Sequence, residues 1–205
     1  DAPLIEPSAE QVPLTEYHYT TYQVTQFERP APILLNTDEF MQFWHKSLIA
    51  EHVKEVVQTE SPISKNLLGK RILSNWGLAR SGARINAHLE DIYQSLQLRY
   101  VDDGNGLFVW HETHSPDTYT EFRIQTDDAA KRDADDLPVQ EVANAIKQII
   151  TNQISLPKED LVREAARVFG FSRIGTNVEA AMLRGIAYAL KRGDAYESEG
   201  RIIAN

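Results

Sequence analysis

The chain has 205 residues, 42% of them hydrophobic and 25% charged, with a formal net charge of -9 and no Cys. That length holds two small domains plus connections, and the balance is that of an ordinary soluble globular chain. The lack of Cys excludes disulfides, thiol chemistry and Cys-zinc sites and fits a reducing, cytoplasmic setting. No apolar run approaches the roughly 20 residues that span a bilayer, no N-terminal stretch reads as a signal segment, and the opening Asp reads as the start of a piece of a longer protein.

The acidity is uneven. Residues 1–44 hold 1 basic and 7 acidic groups and residues 111–138 hold 3 and 8, whereas residues 45–110 and 139–205 each carry one more basic than acidic group. The chain therefore divides into an extended acidic and aromatic arm (1–44), a first domain (45–110), an acidic linker (111–138) and a second domain (139–205). The arm segment E-Y-H-Y-T-T-Y-Q-V-T-Q-F (16–27) places four aromatics among β-formers. Those rings suit either stacking on single-stranded bases or covering an exposed edge of the first domain, and the acidity favours the second reading.

In the first domain, Val53, Val56 and Val57 fall at helical spacing, Ile63 marks a short strand, a helix runs from Ser64 to Trp76, and Ile85, Leu89 and Tyr93 stripe a third helix. L-R-Y-V-D-D-G-N-G-L-F-V-W (98–110) then reads as a hairpin. In the linker, His111 and His114 stand at a spacing able to chelate zinc on one helical turn, but Pro116 makes the segment a loop and no third ligand is evident, so no metal is expected. The Asp-rich run 127–136 reads as solvated.

The second domain repeats the order. Pro138 opens a helix through Val142, Ile146, Ile149 and Ile150, I-S-L (154–156) is a brief strand, and Pro157 opens a helix that Gly170 ends. Thr176 with Glu179 forms a capping box for a third helix striped by Val178, Met182 and Ile186. A hairpin follows Gly193. An ungapped shift of 93 residues takes Val53 to Ile146, Val57 to Ile150, Leu68 to Leu161, Trp76 to Phe169, Gly77 to Gly170, Arg80 to Arg173 and Gly82 to Gly175. Register kept through three periodic segments and their turns indicates a tandem duplication, and two copies are too few for a solenoid, so each must bury its own core. The expected fold is mainly α with small β-hairpins (α+β): two tandem winged helix-turn-helix domains behind an extended arm. The aromatic plugs the core at the end of the second helix, the first Gly reverses the chain and the second Gly admits it to the third helix.

The segment from E-S-P-I-S-K-N-L-L to R-S-G-A-R-I with G-L-F-V-W, and L-V-R-E-A-A-R-V-F-G-F-S-R-I-G-T-N-V with G-R-I-I, resemble a bacterial domain of unknown function (DUF3320) over about residues 45–205. The resemblance implies a place at the C-terminus of large proteins related to superfamily I DNA helicases, often beside a nuclease-like domain similar to the very-short-patch repair endonuclease. No phosphate-binding G-x-x-x-x-G-K-[ST] loop and no recognisable Ser, His and Asp set occurs, so this piece is expected to be non-catalytic and without a cofactor.

Nucleic-acid contacts are expected from the turn before the third helix and from that helix's outer face. Arg80 and Arg173 either reach a phosphate or hold turn carbonyls or a carboxylate. The second copy offers Asn177, Arg184, Tyr188, Lys191 and Arg192, with Arg184, Lys191 and Arg192 lacking an adjacent carboxylate pair. The first offers Arg84 but also Glu90 and Asp91. Asp102 and Asp103 in one wing, and Glu197 and Glu199 in the other, repel phosphates. The functional expectation is a non-catalytic module that assists DNA engagement by a helicase- or nuclease-related parent. The alternative is a module that docks on the parent's other domains or on a partner protein without touching DNA.

Overall fold

The computed structural model describes residues 13, 16–126 and 130–205. The start of the expected arm (1–12, 14 and 15) and residues 127–129 of the expected linker lie outside the described residues. In chain order the elements are β1 (Thr20–Thr21), α1 (Thr37–Phe40), α2 (Lys46–Glu60), β2 (Ile63–Ser64), α3 (Lys65–Asn75), α4 (Ala83–Ser95), β3 (Tyr100–Asp102), β4 (Leu107–Val109) and β5 (Arg123–Ile124). There follow α5 (Val139–Gln153), β6 (Ser155–Pro157), α6 (Lys158–Val168), α7 (Thr176–Arg192), β7 (Ala195–Ser198) and β8 (Arg201–Ala204). The fold is α+β, with seven α-helices and small sheets among the described residues. Helices α2, α3 and α4 begin 93 residues before α5, α6 and α7 respectively. The strand before the second helix joins the hairpin in both copies, giving antiparallel sheets of order β2-β4-β3 and β6-β8-β7.

The chain forms two compact units. In the unit Gln23–Ser115, α2, α3 and α4 turn Val53, Val56, Leu68, Ile72, Leu89 and Ile92 into one core, with Phe40 of α1 added to it. Trp76, only 2% exposed, caps α3. Its ring meets Phe40 edge-on at 5.3 Å, and its indole N–H donates to Nδ1 of the buried His52 at 3.0 Å. With Nδ1 accepting, the His52 proton sits on Nε2, which donates to the Arg29 carbonyl at 2.7 Å. Thr25 is held in turn by Glu60, a carboxylate at the end of α2 with no exposed surface, which accepts from the Thr25 amide and hydroxyl and from Arg71 Nε.

The other unit contains Pro116–Asn205 with the N-terminal segment through Tyr22. Its core joins Ile146, Ile149 and Ile150 of α5 to Leu161, Ala165, Met182 and Ile186. Gly185 lets α5 and α7 approach closely: a Cβ there would lie 2.2 Å from Val142 Cγ1. The segment expected to be a solvated linker is largely built into this unit. Phe122 is buried and packs on Phe169, β5 pairs in parallel with β1, and Arg132, Ala134, Asp136 and Leu137 are buried. The reason is Glu141 on the first turn of α5. It accepts from the Arg123 amide at 2.9 Å, Arg123 Nε at 3.0 Å and Arg132 Nη1 at 3.0 Å, while both guanidiniums lie over the Tyr22 ring. Burial opposes the Glu141 charge, yet the two guanidiniums outweigh it and hold the carboxyl below its ordinary value of 4.5.

Both second helices end in the same device. Gly77 (φ 69°) and Gly170 (φ 83°) occupy the left-handed region. The Gly77 amide bonds the Ser74 carbonyl and the Leu78 amide the Leu73 carbonyl, a pattern repeated by Gly170 to Arg167 and Phe171 to Ala166. The start of the third helix differs from expectation. Gly82 and Gly175 are the N-caps with extended backbone (φ -110° and -92°), so neither conformation demands Gly. Thr176 is already the first helical residue, and no side chain caps α4 or α7, which replaces the expected capping box.

Truncating either plug, Trp76→Ala or Phe169→Ala, should cost about 3–5 kcal/mol, read from denaturant midpoints at constant slope; wild-type-like unfolding would place that ring outside the core. Because the folded Glu141 pKa is depressed, its stabilisation is complete above the unfolded value and is lost as pH falls through the folded one. Thermal melts of wild type should therefore fall on acidification, and Glu141→Gln should flatten that dependence.

Candidate nucleic-acid interface

Arg80 and Arg173 occupy equivalent places, between the Gly-turned end of the second helix and the N-cap Gly of the third. Both are exposed, and neither makes a side-chain hydrogen bond or ion pair among the described residues. Neither of the contacts open to them within the fold, with turn carbonyls or with a carboxylate, is made by their side chains among the described residues. Each stands two residues before the N-cap of a helix whose first amides have no intrahelical acceptor and no capping side chain. An arginine beside such a helix end presents a guanidinium fork and backbone donors to one region of space, a combination suited to an anionic oxygen.

The outer face of α7 is more engaged than its sequence suggests. Asn177 Nδ2 donates to Asp135 at 3.2 Å, and Arg184 Nη2 stands 3.9 Å from the same carboxylate. Arg192 pairs with Asp194, which also receives Lys147 at 2.9 Å. Burial opposes the Asp194 charge, yet hydrogen bonds from Lys147 and Arg192 and their positive charges hold the carboxyl below its ordinary range. Arg192 also lies over the half-buried Tyr188 ring, 5.7 Å from its centre. Arg184 and Arg192 thus have adjacent carboxylates after all; of the α7 cations, Lys191 alone is exposed without one among the described residues. In the first copy, Arg84 faces Asp38 at 3.2 Å in an exposed pair, and Glu90 and Asp91 are matched by Lys65 and Lys46.

Sequence reasoning missed both counter-ions of α7, for different reasons. Asp135 lies 42 residues from Asn177 and leaves no local signal. Asp194 was legible, since Gly193 in the left-handed region (φ 82°) folds it back beside Arg192. The arm's rings are mostly occupied: Tyr17 is buried and donates to Glu164 at 3.0 Å, Tyr22 lies under the two arginines, and Phe27 packs on His52. His111 Nδ1 is taken up by the Thr113 hydroxyl at 2.8 Å. Among the described residues no three His, Cys, Asp or Glu side chains converge on a metal-sized space, and no helix is long and apolar enough to cross a membrane.

Residues 38–87, from α1 into the first turns of α4, match the family model described as "Protein of unknown function (DUF3320)". The chain resembles that family over this segment, which includes the Trp76 plug, its Gly turn and Arg80 but none of the second copy. No curated protein and no solved structure matches the chain.

If Arg80 and Arg173 serve something outside the chain, removing them should leave the fold untouched. Arg80→Ala and Arg173→Ala are expected to unfold within about 0.5 kcal/mol of wild type; a loss above about 1.5 kcal/mol in either would assign that arginine to the fold.

Proposed function

We propose that the chain is a non-catalytic module that helps a larger helicase- or nuclease-related protein engage DNA, each copy being a winged helix-turn-helix. One observation carries this reading: an exposed arginine with no side-chain partner among the described residues, before an uncapped third helix, present at Arg80 and again 93 residues later at Arg173. A DNA phosphate is the ligand that this pairing of guanidinium and free amides suits, and two such points let the chain hold a backbone at two places. Contacts of this kind position the protein without reading sequence. Lys191 adds a third cation, while Arg84 and Arg184, in solvent-screened pairs, can exchange their carboxylates for phosphates at little cost. The acidic hairpin tips direct any duplex away from the wings and toward the N-termini of the third helices.

Binding should be weak and steeply salt-dependent, because counterion release would supply most of its free energy. In fluorescence titrations with duplex and single-stranded DNA, Arg80→Glu with Arg173→Glu should weaken binding by about tenfold or more, a change of about 1.4 kcal/mol. Arg184→Glu should weaken it less. Undiminished binding by the double variant would overturn the reading.

A protein-docking role has its own support. Ile33, Leu35, Phe43 and Trp44 are exposed within one short stretch, with Ile33 94% and Leu35 89% accessible. Apolar side chains concentrated in this way mark interaction surfaces more often than chance scatter does. Absence of DNA binding together with loss of association with the parent's remaining domains in Phe43→Ser with Trp44→Ser would replace the DNA reading with this one.

A further inference from the structure

The first copy contains a groove of about 810 Å³ between α3 and α4. Its floor is Leu73, Leu89 and the bare backbone at Gly69, where a Cβ would stand 3.8 Å from the Tyr93 hydroxyl. Tyr93, only 3% exposed, lines this groove, and its hydroxyl has no hydrogen-bond partner among the described residues. Burial, then Tyr100 and Glu90, push that hydroxyl well above the ordinary tyrosine range, so it remains a proton donor at neutral pH. The rim carries Arg80 and Ser81 before α4, Lys70 on α3, and the exposed amides Asn66 and Asn86. Lys65 is paired with Glu90, so the charged side chains that line the groove sum to a net positive charge.

The second copy lacks this chemistry at the same positions. Gly69 corresponds to Val162 and Tyr93 to Ile186, both buried, while the amides Asn66 and Asn86 correspond to Glu159 and Glu179. Duplication kept the core positions and Arg80/Arg173 in common. The open floor, the phenol donor and the amide rim belong to the first copy alone, which separates them from anything the shared fold requires.

A buried orphan donor needs an acceptor, and the guanidinium of Arg80 at the groove mouth, without a carboxylate partner among the described residues, suits an anion. Between them lie an apolar floor and amides able to match both donors and acceptors of a base edge. We propose that this groove binds a single nucleotide, its phosphate at Arg80 within the positive field of Lys70, and its sugar or base against the floor and the Tyr93 hydroxyl. The nucleotide is either free or the unpaired end of a strand. The volume lies within the usual range for small-ligand sites, roughly 300–1,000 Å³.

The test is calorimetric titration of the whole chain with adenosine 5′-monophosphate, with adenosine and inorganic phosphate as controls, and with a single-stranded DNA hexamer. The monophosphate should bind about tenfold or more tightly than either control. Gly69→Val, which installs the second copy's residue, and Tyr93→Phe, which keeps the ring, should each weaken it about five- to tenfold without lowering melting or altering duplex binding. A hexamer at least about tenfold tighter than the monophosphate and weakened by the same two variants identifies a strand end as the source, and comparable affinities identify the free nucleotide; either supports the site. A monophosphate no tighter than phosphate, or binding unchanged in both folded variants, overturns it. Arg80→Glu with Arg173→Glu failing to weaken duplex binding bears on the DNA reading alone, so the two proposals fail separately.

Discussion

A carboxylate with no access to solvent is stable only where donors surround it, and Glu141 determines how its unit is put together. By fixing Arg123 and Arg132 it draws the chain before α5 onto that helix, and the guanidiniums in turn hold Tyr22 and the short β1–β5 pair. Removing one partner of such a buried cluster leaves uncompensated charge, typically at a cost of about 3–5 kcal/mol. The unit Gln23–Ser115 uses the same logic at another place: Glu60 holds Thr25 and Arg71, and His52 holds both the Arg29 carbonyl and the Trp76 plug. In both units the non-repeated chain is fastened to the repeated helices by buried polar groups rather than by apolar area alone.

That division explains what could be read from sequence. The repeat was legible because its causes are local: apolar spacing places α2 to α4 and α5 to α7, and a Gly in the left-handed region marks both chain reversals. The embedded linker was not, because an Asp-rich run carries the composition of a solvated segment, and only long-range partners such as Glu141 say otherwise. The same holds for Tyr17, whose acceptor Glu164 is 147 residues away. The Thr176–Glu179 spacing matches a capping box, but the helix starts one residue earlier than that motif needs, with Gly175 in the cap.

The candidate contact residues sort by the same distinction. Arg184, Arg192, Asn177 and Arg84 stand out in sequence as charges or donors on a helix face, and nothing in helical periodicity reveals Asp135, Asp194 or Asp38 opposite them. Arg80 and Arg173 are ambiguous in sequence, and their exposure without a side-chain partner among the described residues supports the proposed external anion. The groove at Gly69 and Tyr93 is invisible for another reason: Tyr93 sits on the buried stripe of α4 and reads as core, and nothing in its spacing shows that its hydroxyl lies against the bare backbone of Gly69.

Isotope-labelled chain titrated with a short duplex, followed by amide shifts, separates these roles residue by residue. The largest and salt-sensitive shifts should fall at residues 79–84 and 172–177, where the two third helices begin, with the Glu141 cluster undisturbed. Shifts confined to residues 33–44, or to the Arg184–Lys191 face of α7 with both helix starts silent, would contradict the proposal that the repeated arginines are the DNA contacts.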